Sequence, residues 1–179
     1  MSIRGGPETL AEGARRRSTN TDLMKLYLLR HGKADWPDWA GPDDERPLTE
    51  EGVEDMKLVA SGLKRIKAVP ALILSSPLPR AIGTAEIAAK ALGAPLKRVG
   101  EIAPGFDRQK LAPLLAAHAG EDIMLVGHEP DFSRLIRSLT GGRVKLSRAA
   151  TAAIEIGDDL PAPRLLWLLP PKILVRLSN

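Results

Sequence analysis

No cysteine occurs in the 179 residues, which excludes disulfides, thiolate catalysis and thiolate metal sites and fits a reducing compartment. Long hydrophobic runs are also missing. Nothing approaches the roughly 20 apolar residues needed to span a bilayer, and residues 1–23 lack the apolar stretch of a signal peptide. A cytoplasmic protein with no membrane partner is therefore expected. Aromatic residues make up only 3% of the chain, and the basic residues are scattered apart from Arg15, Arg16 and Arg17. A nucleic-acid surface normally joins a basic stripe to stacking aromatics, so no nucleic-acid partner is expected. The chain also has no His-Glu-x-x-His, no Gly-x-x-x-x-Gly-Lys loop and no Gly-x-Ser-x-Gly elbow. His128, Glu129 and Asp131 are the nearest approach to a metal-ligand set, and no cofactor is implied.

What is present describes an ordinary globular domain, 44% hydrophobic and 27% charged. Residues 1–23 mix glycine, serine, threonine and charge with little periodicity, and read as a mobile extension. Residues 24–179 read as one folded domain. The extension carries four arginines against three acids, so most of the net charge of +4 lies on the body. A mildly basic body suits an anionic substrate.

The stretch Lys25-Leu26-Tyr27-Leu28-Leu29-Arg30-His31-Gly32 reads as a buried strand delivering two cationic groups to its carboxyl end, which is where open α/β sheets bind ligands. Gly32 suggests close backbone approach to a ligand. A long connection, Lys33 to Pro47, leaves this end and is expected at the rim of a site. Thr49 is placed to cap a helix bearing Val53, Met56, Val59, Leu63 and Ile66. Ala71 to Leu74 predicts a second buried strand, followed by Ser75, Ser76 and a helix through Leu92 with Arg80 in its first turn. A cation at a helix N-terminus is unfavourable unless an anion is close, so Arg80 points to phosphate. Leu96 to Val99 predicts a short strand, and Asp107 to Ala119 a helix on which His118 is a structural or surface residue. Ile123 to Val126 predicts a strand ending in Gly127-His128-Glu129-Pro130, with Pro130 opening a helix that carries Phe132, Leu135, Ile136 and Leu139. Ala150 to Ile156 and Leu165 to Leu169 predict a closing antiparallel hairpin at a sheet edge. Alternating strands and helices imply an α/β fold with a mixed, mostly parallel sheet and helices on both faces. Three strands thus end in Arg-His, Ser-Ser-x-x-x-Arg and Gly-His, and several cations gathered at one sheet end call for an anionic ligand.

Four ordered motifs resemble the histidine phosphatase superfamily. They are Leu-Arg-His-Gly at 29–32, Arg-Pro-Leu-Thr-x-x-Gly at 46–52, Ser-Ser-Pro-Leu-x-Arg-Ala at 75–81 with Thr84-Ala85-Glu86, and Val-Gly-His-Glu-Pro-Asp at 126–131. The pattern is most similar to the small SixA-type phosphohistidine phosphatases and runs from Met24 through Leu-Leu-Pro-Pro-Lys at 168–172. The resemblance implies a phosphoglycerate mutase-like, three-layer αβα sandwich. It also implies an RHG-type site in which His31 is the phosphorylated nucleophile and Arg30, Arg80 and His128 surround the phosphoryl group. Arg46 resembles a family position near the site, and a salt bridge with Asp43 or Asp44 accounts for it equally. Phosphoryl transfer asks chiefly for positioning and for charge around the equatorial oxygens, which these residue types supply.

Two departures from the family pattern stand out. Gly83 occupies a position where glutamine is common, and the inserted segment that carries a general acid in larger members is missing. Glu101, Asp107, Asp35, Asp38, Asp43 and Asp44 are the acids within reach, and spacing selects none of them. A phosphohistidine expels imidazole, which depends less on a proton donor than an ester's alkoxide does. The reading is therefore a phosphatase acting on phosphohistidine of a signalling or carrier protein. The alternatives are a small phosphorylated metabolite as substrate, or a noncatalytic phosphate-binding module.

Overall fold

The structure, a computed structural model, describes residues 23–157 and 162–178. The expected mobile extension lies outside those residues except for Leu23. Six strands form one sheet: β1 (Met24–Arg30), β2 (Leu72–Ser75), β3 (Leu96–Arg98), β4 (Ile123–Gly127), β5 (Thr151–Ile156) and β6 (Arg164–Leu169). Their order is β3-β2-β4-β1-β5-β6. The first four strands run parallel, and β5 is antiparallel to both β1 and β6.

Five helices cover the sheet: α1 (Glu50–Arg65), α2 (Pro79–Leu92), α3 (Arg108–Ala117), α4 (Asp131–Thr140) and α5 (Pro171–Ser178). Side chains of a strand alternate between its faces, and both faces of the central strands are buried. Leu26 and Leu28 of β1 and Leu125 of β4 pack with Phe132, Leu135 and Leu111 of α4 and α3. Tyr27 and Leu29 of β1 and Val126 of β4 pack with Met56 and Leu63 of α1, Ala85 of α2 and Leu174 of α5. The result is the α/β three-layer arrangement with a mixed sheet.

Local chemistry sets the boundaries. Thr49 caps α1 by accepting from the Gly52 N–H at 3.0 Å. The helix expected over Asp107 to Ala119 is shorter, because Asp107 stands outside it as a cap accepting from the Lys110 N–H at 3.0 Å. The expected antiparallel hairpin closes one edge of the sheet: β6 is outermost, and the first four residues of β5 are buried between β1 and β6. Helix α5 was not anticipated. The residues after Leu169 had no element assigned to them, yet proline at the first helical position, here Pro171, is compatible with a helix start. Docking of α5 on α1 is close: a Cβ added at Gly62 would lie 2.1 Å from the Leu174 carbonyl oxygen.

Candidate active site

The strand order brings β2, β4 and β1 side by side, and register then levels their carboxyl ends. Arg30 pairs with Gly127 and Ser75 with Val126. One residue later, the His31 N–H donates to the Gly127 carbonyl at 3.0 Å and the Ser76 N–H to the Val126 carbonyl at 2.9 Å. His31, Ser76 and His128 are therefore placed at one level by backbone pairing, before any side chain interacts.

His31 and His128 are 9% and 4% exposed, with ring centroids 5.3 Å apart. Burial, with smaller contributions from His128, Arg80 and Arg30, pushes His31 down to about 3, and burial with Arg80 pushes His128 down to about 4. Desolvation outweighs the neighbouring cations in both. His31 Nδ1 lies 2.8 Å from the Gly32 carbonyl oxygen. A carbonyl only accepts, so in the neutral ring Nδ1 carries the proton and Nε2 keeps a free lone pair. His128 Nε2 lies 2.7 Å from Ser76 Oγ, and its buried Nδ1 has no hydrogen-bond partner among the described residues.

Arg80, 6% exposed, rises from the first turn of α2. Thr84 Oγ1 ties that turn to β1 by donating to the Arg80 carbonyl at 2.8 Å and accepting from the Gly32 N–H at 3.0 Å. Arg80 donates through Nη1 to the Asp43 carbonyl at 2.6 Å and through Nη2 to Asp43 Oδ2 at 3.2 Å. Arg46 Nη2 meets the other oxygen of Asp43 at 2.6 Å, and its Nη1 lies 3.8 Å from Asp35. Asp35 is in turn paired with Arg148. Cation and carboxylate thus alternate from Arg80 through Asp43, Arg46 and Asp35 to Arg148. Arg30 donates to the Leu146 carbonyl at 2.8 Å, while its buried Nε has no hydrogen-bond partner among the described residues. Burial lowers both Arg30 and Arg80, opposed chiefly by Glu129 and Asp43 respectively.

Among the residues singled out from sequence, His31, His128, Arg30 and Arg80 share one electrostatic neighbourhood. Arg46 joins them through Asp43, the salt bridge that was one of its two readings. Of the candidate acids, Asp43 and Asp35 reach the site's arginines, whereas Asp107 is spent on its helix cap. Asp131 accepts from the Gly105 N–H at 2.7 Å. His118 pairs with Glu121 at the end of α3. At Gly32 a Cβ would lie 2.9 Å from Met56 Cγ of α1 and 3.2 Å from Leu48 Cδ2, so close packing on that side also favours glycine. Sequence reasoning missed Arg148, which sits before β5 in a segment with no motif. It quoted Ser76 and Thr84 without a task for either, because only the fold reveals their partners.

Residues 26–103 match the family model of the histidine phosphatase superfamily (branch 1). The chain is 36% identical over 174 residues to an uncharacterized protein of Picosynechococcus sp., covering 82% of this chain and all of that one. It is 30% identical over 143 residues to the phosphohistidine phosphatase SixA of Escherichia coli, covering 76% of this chain and 88% of SixA. A solved structure of the protein histidine phosphatase SixA complexed with tungstate superposes with a TM-score of 0.74 at 28% identity, covering 84% of this chain and 99% of that one. A phosphoglycerate mutase of Bacillus anthracis shares the fold, with a TM-score of 0.67 at 18% identity over 91% of this chain and all of that one.

Proposed function

Since the chain belongs to the histidine phosphatase superfamily and is a phosphatase of the SixA type, we propose that it hydrolyses phosphohistidine carried on a protein, with His31 as nucleophile. The observation that carries this reading is the His31 Nδ1 contact with the Gly32 carbonyl at 2.8 Å. It leaves Nε2 unprotonated at neutral pH, among three cationic or potentially cationic side chains. In the first step the Nε2 lone pair attacks phosphorus. A new P–N bond forms on His31 as the substrate's P–N bond breaks, and the expelled electron pair stays on the departing nitrogen of a ring protonated at its other nitrogen, which leaves as neutral imidazole. In the second step water attacks phosphorus, the His31 P–N bond breaks, and inorganic phosphate leaves with the water oxygen. Arg30, Arg80 and His128 hold the equatorial oxygens, where charge spreads in the transition state. His128 is suited to this by its unpartnered Nδ1. Arg46 acts at one remove, through Asp43.

The choice of a P–N bond over an ester rests on the acids. Asp43 and Asp35 are engaged by arginines, Glu129 accepts from the Ser133 hydroxyl at 2.8 Å and Asp131 from the Gly105 N–H at 2.7 Å, so each nearby carboxylate already has a partner. An imidazole leaves without a proton donor more readily than an alkoxide does. The deciding measurement is phosphate release from a phosphohistidine-bearing carrier protein and from a phosphate monoester, with wild type and His31→Ala in parallel. Fast, His31-dependent release from the carrier with slow ester turnover is expected. The opposite preference would move the substrate to small phosphorylated metabolites, and undiminished activity of His31→Ala would remove the nucleophile assignment.

A further inference from the structure

A groove of about 780 Å³ runs between α1 and α2, floored by Leu48, Val53, Ile87 and Ala91. It begins beside the candidate active site. Pro47 and Pro79 at its mouth are the chain neighbours of Arg46 and Arg80. Leu48 separates the two regions: its Cδ2 lies 3.2 Å from a Cβ added at Gly32, and its Cδ1 lies 3.3 Å from one added at Gly83. Gly83 thus keeps the floor open where a longer side chain would meet Leu48.

Three lysines rim the groove, Lys57 and Lys64 on α1 and Lys90 on α2, against one acid, Glu86. Lys57 is paired with Glu54 at 2.6 Å, and Glu86 faces Arg98 at 3.8 Å. Among the described residues, Lys64 and Lys90 have no acidic partner. Lys57 and Lys64 are two helical turns apart, about 10 Å along the axis. An apolar trough with unneutralised cations along both banks is complementary to an amphipathic helix with an apolar stripe and acidic flanks. A second copy docking face to face would set lysine against lysine. The arginine triplet of residues 15–17 carries the same sign as the rim.

Resting on the phosphohistidine reading above, we propose that this groove docks an acidic amphipathic helix of the substrate protein, next to the phosphorylated residue that enters the site. A contact at that distance from the chemistry acts on KM and leaves the chemical step alone.

The test has a binding arm and a turnover arm. For binding, a fluorescently labelled, unphosphorylated synthetic amphipathic helix with glutamates on its polar face is titrated by anisotropy, against a counterpart with lysines at the same positions. Wild type should bind the acidic peptide at least tenfold more tightly, and the triple variant Lys57→Glu, Lys64→Glu, Lys90→Glu should reverse the order. Ile87→Glu should weaken binding of the acidic peptide. For turnover, a phosphohistidine placed at the end of the acidic helix should show a KM at least tenfold below that of free phosphohistidine. The triple variant should lose that advantage while hydrolysing phosphoramidate at the wild-type rate, which also shows that it is folded. No preference in wild type, or a preference that survives the triple variant, would overturn the docking assignment. So would a dimer in sedimentation that Ile87→Glu dissociates, since the groove would then belong to a second copy. Acidic-peptide binding that needs the lysines, without phosphohistidine turnover, would instead support the groove and refute the substrate reading.

Discussion

Asp43 occupies the donor fork of Arg80 that a phosphoryl group would need, so Asp43→Asn should tighten phosphate binding. The substitution keeps shape and removes charge. In the wild type, Asp43 Oδ2 lies 3.2 Å from Arg80 Nη2 and Oδ1 lies 2.6 Å from Arg46 Nη2. The Asp43 side chain is 70% exposed, and solvent-exposed ion pairs contribute only ~0.2–1 kcal/mol each. The Asp43 backbone carbonyl, 2.6 Å from Arg80 Nη1, remains in the variant and keeps the guanidinium oriented. Relief of competition at the two pairs together amounts to about 1 kcal/mol, a roughly fivefold lower dissociation constant for inorganic phosphate. Isothermal titration calorimetry at neutral pH and low ionic strength measures it directly. Near 1 M salt, where the Debye length falls to about 3 Å, the difference between the proteins should shrink. An unchanged or weaker phosphate affinity in Asp43→Asn would refute the competition argument and make the carboxylate a support for Arg80.

Three further outcomes are expected. His31 and His128 fall to about 3 and about 4 in the folded protein from an ordinary 6.5, so between those values the unfolded chain binds more protons. Their contribution is therefore complete above pH 6.5 and is lost as pH falls towards 4 and then 3, at up to about 1.4 kcal/mol per pH unit for each histidine. Urea denaturation across pH 7 to 4 should show this slope, and His31→Asn should take away about half of it. Gly62→Ala, which in an open helix interior would gain about 1 kcal/mol, should instead cost ~1–3 kcal/mol, because the new Cβ would meet the Leu174 carbonyl at 2.1 Å; a gain in denaturant midpoint would mean α5 is not docked there. Ser76→Ala removes the partner of a buried imidazole nitrogen, at about 1–3 kcal/mol. It should reduce kcat/KM for phosphoramidate roughly tenfold or more with circular dichroism unchanged, and full activity would show that Ser76 does not orient His128.

Strand and helix content was legible wherever apolar spacing was regular. The run Leu26 to Leu29, buried on both faces, and the α1 face carrying Met56, Val59 and Leu63 follow from side-chain period alone. Helix α5 escaped because a proline pair serves equally as a stop or a start, and its docking on Gly62 supplies the evidence for the start. The candidate site was legible through its strand-end motifs, each of which couples an apolar run to a cationic or hydroxylic residue. Arg148 was not, since its link is a pairing with Asp35 across 113 positions of chain. The packing of Met56 and Leu48 against Gly32 was not legible either, because a glycine shows only that space is short, not which neighbour takes it.

Residue types and their spacing established an α/β chain with histidines and arginines at strand ends, because burial and strand termination are local properties that period and composition encode. Tertiary structure decided which ends became neighbours: the order β2-β4-β1 levels His31, Ser76 and His128. It also decided the protonated nitrogen of His31, the arginines that Asp43 engages, and the groove that α1 and α2 leave between them. Each depends on hydrogen-bond partners or packing faces brought together from distant parts of the chain, and a one-dimensional pattern carries no distance between them.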